Sequence, residues 1–123
     1  MVNSPRKILI VEDEKPLARA LELKLLNSGF RIRVATNGLE ALDLLKKEKF
    51  NLILLDLVMP TVSGFDVLEK MKASKNKTPV VITSNLGQKE DLKRVQDFGV
   101  KKYFIKSDVN IVDIVNYVKD FLK

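Results

Sequence analysis

Residues 51–60, NLILLDLVMP, decide the fold of this chain. Leu52 to Leu55 is an uninterrupted apolar run, which is typical of a short strand buried on both faces of a parallel sheet. Asp56 follows directly, and Pro60 ends any regular strand pairing. A carboxylate at the end of a buried strand is costly unless water, a cation or a ligand can reach it, and open α/β sheets bind ligands at that edge. Asp56 is therefore the first candidate for chemistry, with a turn-capping aspartate as the alternative.

Outward from this stretch, strand patterns alternate with helix patterns. Strands are predicted at 6–11, 31–34, 52–55, 80–82 and 103–105, and helices at 16–28, 38–47, 88–98 and 111–122. A further helix, the third in chain order, is predicted from the apolar stripe Phe65, Leu68 and Met71. This alternation predicts one α/β domain over residues 1–123, with a parallel sheet and helices on both of its faces. The alternating RIRV at 31–34 indicates an edge strand, and the thin apolar stripe of 88–98 predicts the least firmly packed helix.

The composition excludes several classes of site. The 123 residues contain neither cysteine nor histidine, so thiolate and imidazole chemistry are absent and a metal site must be built from oxygens. The net charge is +6, but the lysines are spread along the chain, which favours a solvated surface over a nucleic-acid patch. No stretch is typical of a signal peptide or a membrane span. We therefore expect a cytoplasmic protein that contacts neither a membrane nor nucleic acid directly.

Polar and charged residues follow four of the five predicted strands. They are Glu12 and Asp13 after the first, Asp56 after the third, Ser84 with Thr83 beside it after the fourth, and Lys106 after the fifth. If the first and third strands are neighbours, three carboxylates converge and raise each other's pKa unless a cation joins them. Mg²⁺ is the hard divalent ion that fits best. A nucleophilic Asp56, with a lysine and a hydroxyl as donors to phosphoryl oxygens, predicts phosphoryl transfer.

These stretches resemble the receiver domains of two-component response regulators. The resemblance covers Lys7 to Leu122, and it is carried by ILIVEDE at 8–14, LILLDLVMP at 52–60, Gly64, TPVVITSN at 78–85 and YFIKS at 103–107. It implies a doubly wound, flavodoxin-like fold with five parallel strands in the order 2-1-3-4-5.

The resemblance also implies a role for each residue at the sheet edge. By this resemblance Asp56 is the phosphoacceptor, and Lys106 contacts the phosphate. Glu12 and Asp13 are the acidic pair, with Asp13 a direct Mg²⁺ ligand and the Val58 carbonyl a further ligand. Ser84 is the switch hydroxyl and Tyr103 the switch aromatic. The implied phosphodonor is a phosphohistidine on a histidine kinase or phosphotransfer protein. The implied output is a changed surface of helix 4, strand 5 and helix 5. That surface controls a protein target, a lost output domain or a phosphorylation-dependent homodimer.

Two positions depart from the family pattern. Ser107 stands where the family usually has a proline after a cis peptide. A cis bond before a residue other than proline costs about 2.5–4 kcal/mol, so the isomer of the Lys106–Ser107 bond and the aim of the lysine are left open by the sequence. Val58 and Leu86, each two residues past a site residue, are apolar where polar groups could position an attacking water. A long-lived phosphoryl state is therefore predicted, with slow hydrolysis.

Two other functions remain open at this point. One is a receiver-shaped binding module that no longer takes phosphate, although the retained site residues weigh against it. The other is a Mg²⁺-dependent phosphatase with an aspartate nucleophile, but such enzymes commonly carry a second Asp where Val58 stands. A natural single-domain regulator and a fragment of a longer one are both compatible with the sequence. The leading hypothesis is a signalling phosphoacceptor rather than a metabolic enzyme.

Overall fold

The computed structural model describes residues 5–123, so the first four residues of the predicted 1–123 domain lie outside the described part. The strands are β1 (Lys7–Val11), β2 (Arg31–Ala35), β3 (Leu52–Leu55), β4 (Val80–Ser84) and β5 (Lys102–Ile105). The helices are α1 (Lys15–Asn27), α2 (Gly38–Lys47), α3 (Gly64–Ala73), α4 (Lys89–Gln96) and α5 (Ile111–Phe121), and a short 3-10 helix spans Lys106–Asp108.

All five strands form one parallel sheet in the order β2-β1-β3-β4-β5. This confirms the predicted order and the predicted edge position of β2. The order changes direction between β1 and β3, where the connections leave toward opposite faces, and a crevice forms at the carboxyl ends of these two strands. Val11 pairs with Leu55 in the β1–β3 register, so the residues that follow them leave the sheet side by side.

The strand side chains alternate between two apolar layers, as the period of two requires. On one face, Leu9, Val11, Ile53 and Leu55 pack with residues of α2 and α3. On the other, Ile8, Ile10, Leu52 and Leu54 pack with residues of α1 and α5. Because β1 and β3 are covered on both faces, their sequences are continuously apolar, and this is the pattern that the central stretch carried.

The structure differs from the predicted element ends in two places near the site. β4 extends through Thr83 and Ser84, because their backbones continue the parallel ladder opposite Phe104 and Ile105. The fourth helix is shorter than predicted, since it spans only Lys89–Gln96. Val95 is the one fully buried residue of that helix, in agreement with the predicted thin packing. In residues 5–123, no helix combines the length and the apolar character that a membrane crossing requires.

Candidate functional site

The backbone brings Glu12 and Asp56 together before any side-chain contact is considered. The Asp56 N–H donates to the Val11 carbonyl oxygen at 3.0 Å, and the Glu12 N–H donates to the Ala35 carbonyl oxygen at 3.0 Å. Each acid therefore adds one further rung to the parallel ladder and stands at the rim of the sheet. Carboxylates from two neighbouring strands meet there because parallel strands end at the same edge.

Three carboxylates form an acidic cluster at this rim. Oxygens of Glu12, Asp13 and Asp56 all lie within 4.8 Å of one another. Glu12 is 1% exposed and Asp56 is 3% exposed, whereas Asp13 is more accessible to solvent. The cluster therefore has two buried acids beneath one that lies at the mouth, and the buried pair carries most of the desolvation cost.

Lys106 is the cation that the fold places against the two buried acids. Its Nζ atom lies 2.7 Å from Glu12 Oε1 and 3.2 Å from Asp56 Oδ2, and its side chain is 11% exposed. The peptide bonds of the described residues are all trans, and this includes the Lys106–Ser107 bond, whose isomer the sequence left open. The lysine reaches Asp56 from this trans peptide.

Backbone N–H groups donate to the other oxygen of each buried carboxylate. The Val58 N–H donates to Asp56 Oδ1 at 3.2 Å, and the Glu14 N–H donates to Glu12 Oε2 at 3.1 Å. Glu12 Oε1 is buried and has no directed hydrogen bond, so its contact with Lys106 is an ion pair of poor hydrogen-bond geometry. Glu12 Oε1 can therefore accept a further interaction.

Burial dominates the electrostatics of the acidic pair. Burial raises the pKa of Glu12 to about 7, the Lys106 ammonium opposes this, and the Asp56 charge adds to it. The pKa of Asp56 is also raised, first by burial and then by the charge of Asp13, against the lowering effects of Lys106 and the Val58 N–H. Burial alone would lower the pKa of Lys106, but its contacts with Glu12 and Asp56 raise it. One ammonium therefore does not neutralise the cluster.

These residues fit a Mg²⁺ ion. The donor set is made of carboxylate oxygens, which hard cations prefer, and the buried Glu12 Oε1 lacks a directed partner. The raised pKa values of both buried acids indicate a deficit of positive charge. Glu12, Asp13 and Asp56 would hold the ion directly or through water, and the Val58 carbonyl remains a predicted further ligand.

The raised pKa of Glu12 leads to a prediction about stability and pH. A carboxyl group with a higher pKa in the folded protein than its ordinary 4.5 binds its proton more tightly when folded. Its unfavourable contribution to folding therefore grows as the pH rises from about 4.5 to about 7 and is complete above that range. Without divalent ions, we expect the Tm to fall from about pH 6 to about pH 8 more steeply in the wild type than in Glu12→Gln.

Added Mg²⁺ should change the sign of this trend, because the ion binds the deprotonated acids. Differential scanning fluorimetry with EDTA or MgCl₂ measures both conditions. We expect Mg²⁺ to raise the Tm of the wild type more at about pH 8 than at about pH 6. Equal slopes for the wild type and Glu12→Gln would contradict this account of Glu12.

Gly64 lets the third helix approach the strand end that carries Asp56. A Cβ atom at Gly64 would lie 2.2 Å from the Asp56 carbonyl oxygen and 2.7 Å from Leu57 Cα. The Gly64 N–H also donates to the Leu57 carbonyl oxygen at 3.0 Å. The Ser63–Asp66 capping box starts α3 at this point, so the helix start and the Asp56 backbone are tied together.

We expect Gly64→Ala to lower the free energy of unfolding and to disturb the site, because the atoms it meets are backbone and cannot rotate away. The loss should be about 1–3 kcal/mol or more, as in other overpacked positions. Gly87→Ala is the matched control, because its Cβ would meet only side-chain atoms of Ile105, with Cδ1 at 3.0 Å and Cγ1 at 3.8 Å. Urea unfolding of both variants measures the difference, and equal losses would contradict the steric explanation.

Ser84 and Tyr103 lie on neighbouring strands beside the acidic cluster. Ser84 is fully buried, and its Oγ accepts a hydrogen bond from the Leu86 N–H at 3.3 Å. The half-buried Tyr103 donates its hydroxyl to the Leu86 carbonyl oxygen. Burial raises the pKa of Tyr103, Asp91 adds to this, and a hydrogen bond with Ser84 lowers it. The two predicted switch residues are therefore in one hydrogen-bonded group around the turn that follows β4.

The sequence reasoning did not single out two polar residues at this rim. Glu14 Oε2 lies 3.6 Å from Lys106 Nζ, although the Glu14 side chain is 58% exposed. Asn85 accepts a hydrogen bond from the Ser107 N–H at 3.1 Å. Glu14 belongs to the acidic run after β1 and could have been found there. Nothing in the sequence links Asn85 to Ser107, because they are 22 residues apart.

A basic cavity lies at the opposite end of the sheet from the acidic cluster. It has a volume of about 680 Å³, and its lining includes Lys72, Lys75, Lys77 and Lys101. Lys72 lies in the last turn of α3, where a positive charge suits the helix dipole. Part of the net charge of +6 is therefore carried far from the carboxylates.

Comparison with known proteins agrees with this geometry. The family model of the response regulator receiver domain matches residues 8–119. A probable transcriptional regulator, ycf29, of Pyropia yezoensis is 36% identical over an alignment 123 positions long, which covers 95% of this chain and 55% of that protein. The chain spans about half the length of the curated relatives it matches.

Two solved structures extend the comparison to the fold. A CheY-like response regulator receiver domain protein from Methanospirillum hungatei JF-1 has a TM-score of 0.89 at 26% identity, over 97% of this chain and 94% of that one. The response regulator protein TrrA of Thermotoga maritima, in complex with Mg²⁺-BeF, has a TM-score of 0.79 at 25% identity, over 94% of this chain and 97% of that one.

Proposed function

Because the chain belongs to the family of response regulator receiver domains, we propose that Asp56 accepts the phosphoryl group and that the modified domain controls a protein partner. The observation that carries this proposal is the surroundings of Asp56. Its buried carboxylate lies within 4.8 Å of two other carboxylates and 3.2 Å from the Lys106 ammonium. Neighbouring metal ligands and a fixed cation would stabilise the charge of a phosphoryl group as it is transferred to a carboxylate, whereas a turn-capping aspartate has no need of them.

In the proposed reaction, a carboxylate oxygen of Asp56 attacks phosphorus and the bond to the donor nitrogen breaks. The Lys106 ammonium and the Ser84 hydroxyl donate to the phosphoryl oxygens as charge moves onto them. Asp13, Glu12, Asp56 and the Val58 carbonyl would hold Mg²⁺, which would supply positive charge to the site when bound. The proposal is a signalling phosphoacceptor, with no second substrate turned over by the domain itself.

The added phosphoryl group would act on Ser84 and Tyr103, which both hydrogen-bond to the backbone of Leu86. It adds negative charge and acceptor oxygens, toward which the Ser84 hydroxyl can move. That movement would break the hydrogen bond from the Leu86 N–H to Ser84 and free space for the Tyr103 ring. The surface of α4, β5 and α5 would change as a result. The thin packing of α4, with only Val95 buried, supports its choice as the element that moves.

We propose a histidine kinase or phosphotransfer protein as the phosphodonor. We propose that the signal passes to a protein that contacts the α4–β5–α5 surface, to an output domain, or to a second copy of the phosphorylated chain. The absence of histidine from these 123 residues supports a donor on another polypeptide or segment, because the chain cannot carry the phosphohistidine itself.

Two apolar residues support a long-lived phosphoryl state. Val58 is 55% exposed at the mouth of the site, and the partly buried Leu86 packs against the core. Neither side chain can orient an attacking water. We expect slow loss of the phosphoryl group with Mg²⁺ present, and a shorter lifetime in Val58→Asn, on the order of tenfold, because an amide could position water. Intact-mass spectra over time measure both lifetimes, and rapid loss from the wild type would contradict the prediction.

One assay separates this function from the two alternatives. The full chain is incubated with phosphoramidate and Mg²⁺ and weighed by mass spectrometry while released phosphate is measured. A single stable phosphoryl adduct supports the receiver function. The absence of any adduct would favour a binding module, and rapid release of many phosphates per chain would favour a phosphatase.

A further inference from the structure

The Ser107 backbone forms a contact that the family's usual proline could not make. The Ser107 N–H donates to Asn85 Oδ1 at 3.1 Å. Proline has no N–H, so a chain with proline at this position has no donor there. In this chain the peptide that joins Lys106 to Ser107 is trans, and the Asn85 side chain holds its N–H group.

The turn that follows Ser84 also contacts the chain on the N-terminal side of Lys106. Tyr103, three residues before the lysine, donates its hydroxyl to the Leu86 carbonyl oxygen. Ser107, one residue after the lysine, donates to Asn85. The segment that follows Ser84 therefore binds the chain before and after Lys106. Between these two contacts, the Lys106 ammonium reaches Glu12 and Asp56 at 2.7 Å and 3.2 Å.

The Asn85 contact restricts the backbone that aims the lysine. The flexible lysine stem starts at the Lys106 Cα, so the orientation of the peptide that joins Lys106 to Ser107 limits the region that its ammonium can reach. Fixing the Ser107 N–H fixes the plane of the peptide that begins at Lys106. Asn85 itself is exposed and belongs to neither apolar layer, so core packing does not explain its position.

From the Asn85–Ser107 hydrogen bond we propose that Asn85 is a positioning residue, which aims Lys106 at the phosphoryl group and takes the place of the usual proline. This inference rests on the proposed phosphoacceptor function. The Asn85–Ser107 hydrogen bond would make the turn after Ser84 and the loop after β5 move together. When a phosphoryl group draws Ser84 toward it, the change would be passed to the lysine loop through Asn85 as well as through Tyr103.

Three variants of the full chain test the proposal. Asn85→Ala removes the acceptor, Asn85→Asp keeps an oxygen acceptor at that position, and Ser107→Ala keeps the backbone N–H that donates. The Ser107 hydroxyl makes no hydrogen bond within residues 5–123, so its removal is a matched control. Phosphorylation by phosphoramidate is followed by intact mass at varied donor and Mg²⁺ concentrations, and thermal unfolding reports whether each variant is folded.

The expected effect is on the maximal rate. We expect Asn85→Ala to lower the phosphorylation rate at saturating donor about threefold, the size of one modest hydrogen bond. The donor and Mg²⁺ concentrations for half-maximal rate should stay the same, because neither is bound by Asn85. Asn85→Asp should recover most of the rate, and Ser107→Ala should match the wild type.

Two results would overturn the proposal. One is an unchanged rate in folded Asn85→Ala, and the other is an equal loss in Ser107→Ala, which retains the bond. If the wild type takes up no phosphoryl group, the proposed function fails, and hydrogen exchange of the Ser107 amide then decides the contact by itself. Faster exchange of the Ser107 amide in Asn85→Ala than in the wild type supports the contact, and equal exchange in the two proteins refutes it.

Discussion

Asp56→Asn is expected to abolish the uptake of a phosphoryl group from phosphoramidate and Mg²⁺. The substitution keeps the size of the side chain but replaces the nucleophilic carboxylate by an amide, which does not form a stable acyl phosphate. Intact-mass spectra should show the adduct in the wild type and none in the variant. Asp43→Asn is the matched control, since Asp43 is exposed and its ion pair within residues 5–123 is with Lys47 on α2.

Asp56→Asn should also change stability in a way that a damaged fold would not. The pKa of Asp56 is raised in the folded protein, so its ionised form opposes folding at neutral pH in the absence of Mg²⁺. The variant should therefore have a higher Tm than the wild type in EDTA and should gain less from added Mg²⁺. A persistent adduct in a folded variant would place the phosphoacceptor at another residue.

Lys106→Met should slow phosphorylation strongly while sparing Mg²⁺ binding. The ammonium contacts both buried acids and is the nearest side-chain cation to the reacting carboxylate. Removing one fixed donor to developing charge commonly slows a reaction by about 10²–10³-fold, and we expect the lower end here. Mg²⁺ affinity should not fall, because the variant removes a cation that competes for the same carboxylates.

Lys102→Met is the control for Lys106→Met, since Lys102 begins the β5 strand that leads to Lys106 but is exposed and lies over the Phe104 ring. Rates at saturating phosphoramidate and Mg²⁺ titrations of intrinsic tyrosine fluorescence measure the two properties separately. A wild-type rate in Lys106→Met would remove the lysine from the mechanism. A joint loss of rate, Mg²⁺ affinity and thermal stability would assign Lys106 to the fold.

The local pattern was sufficient for the order and kind of the elements near the site. The continuous apolar runs of β1 and β3 and the alternating β2 predicted buried and edge positions, and the structure confirms them. The same pattern missed the ends of β4 and α4. Hydroxyl side chains at Thr83 and Ser84 resemble the start of a loop, yet their backbone groups pair with β5, and this pairing depends on a neighbour that sequence alone does not place.

The predicted strand ends were enough to select the candidate residues, but they did not predict the contacts between those residues. Position after a strand was enough to select Glu12, Asp56 and Lys106. It could not predict that one ammonium would lie against both buried acids, because Lys106 is 50 residues from Asp56 and the contact depends on the final path of the loop. The steric need for Gly64 likewise required the distance from α3 to the Asp56 backbone.

The sequence by itself determined the alternation of elements, the residues at the strand ends and, through resemblance, the family and the strand order. These properties depend on local periodicity and on short motifs, which a single chain displays without its partners in space. Only the tertiary structure decided the pairing of Lys106 with Glu12, the clearance at Gly64 and the bond from Ser107 to Asn85. Each of these depends on distances of a few ångströms between segments that are far apart in the chain, and packing of the whole domain sets such distances.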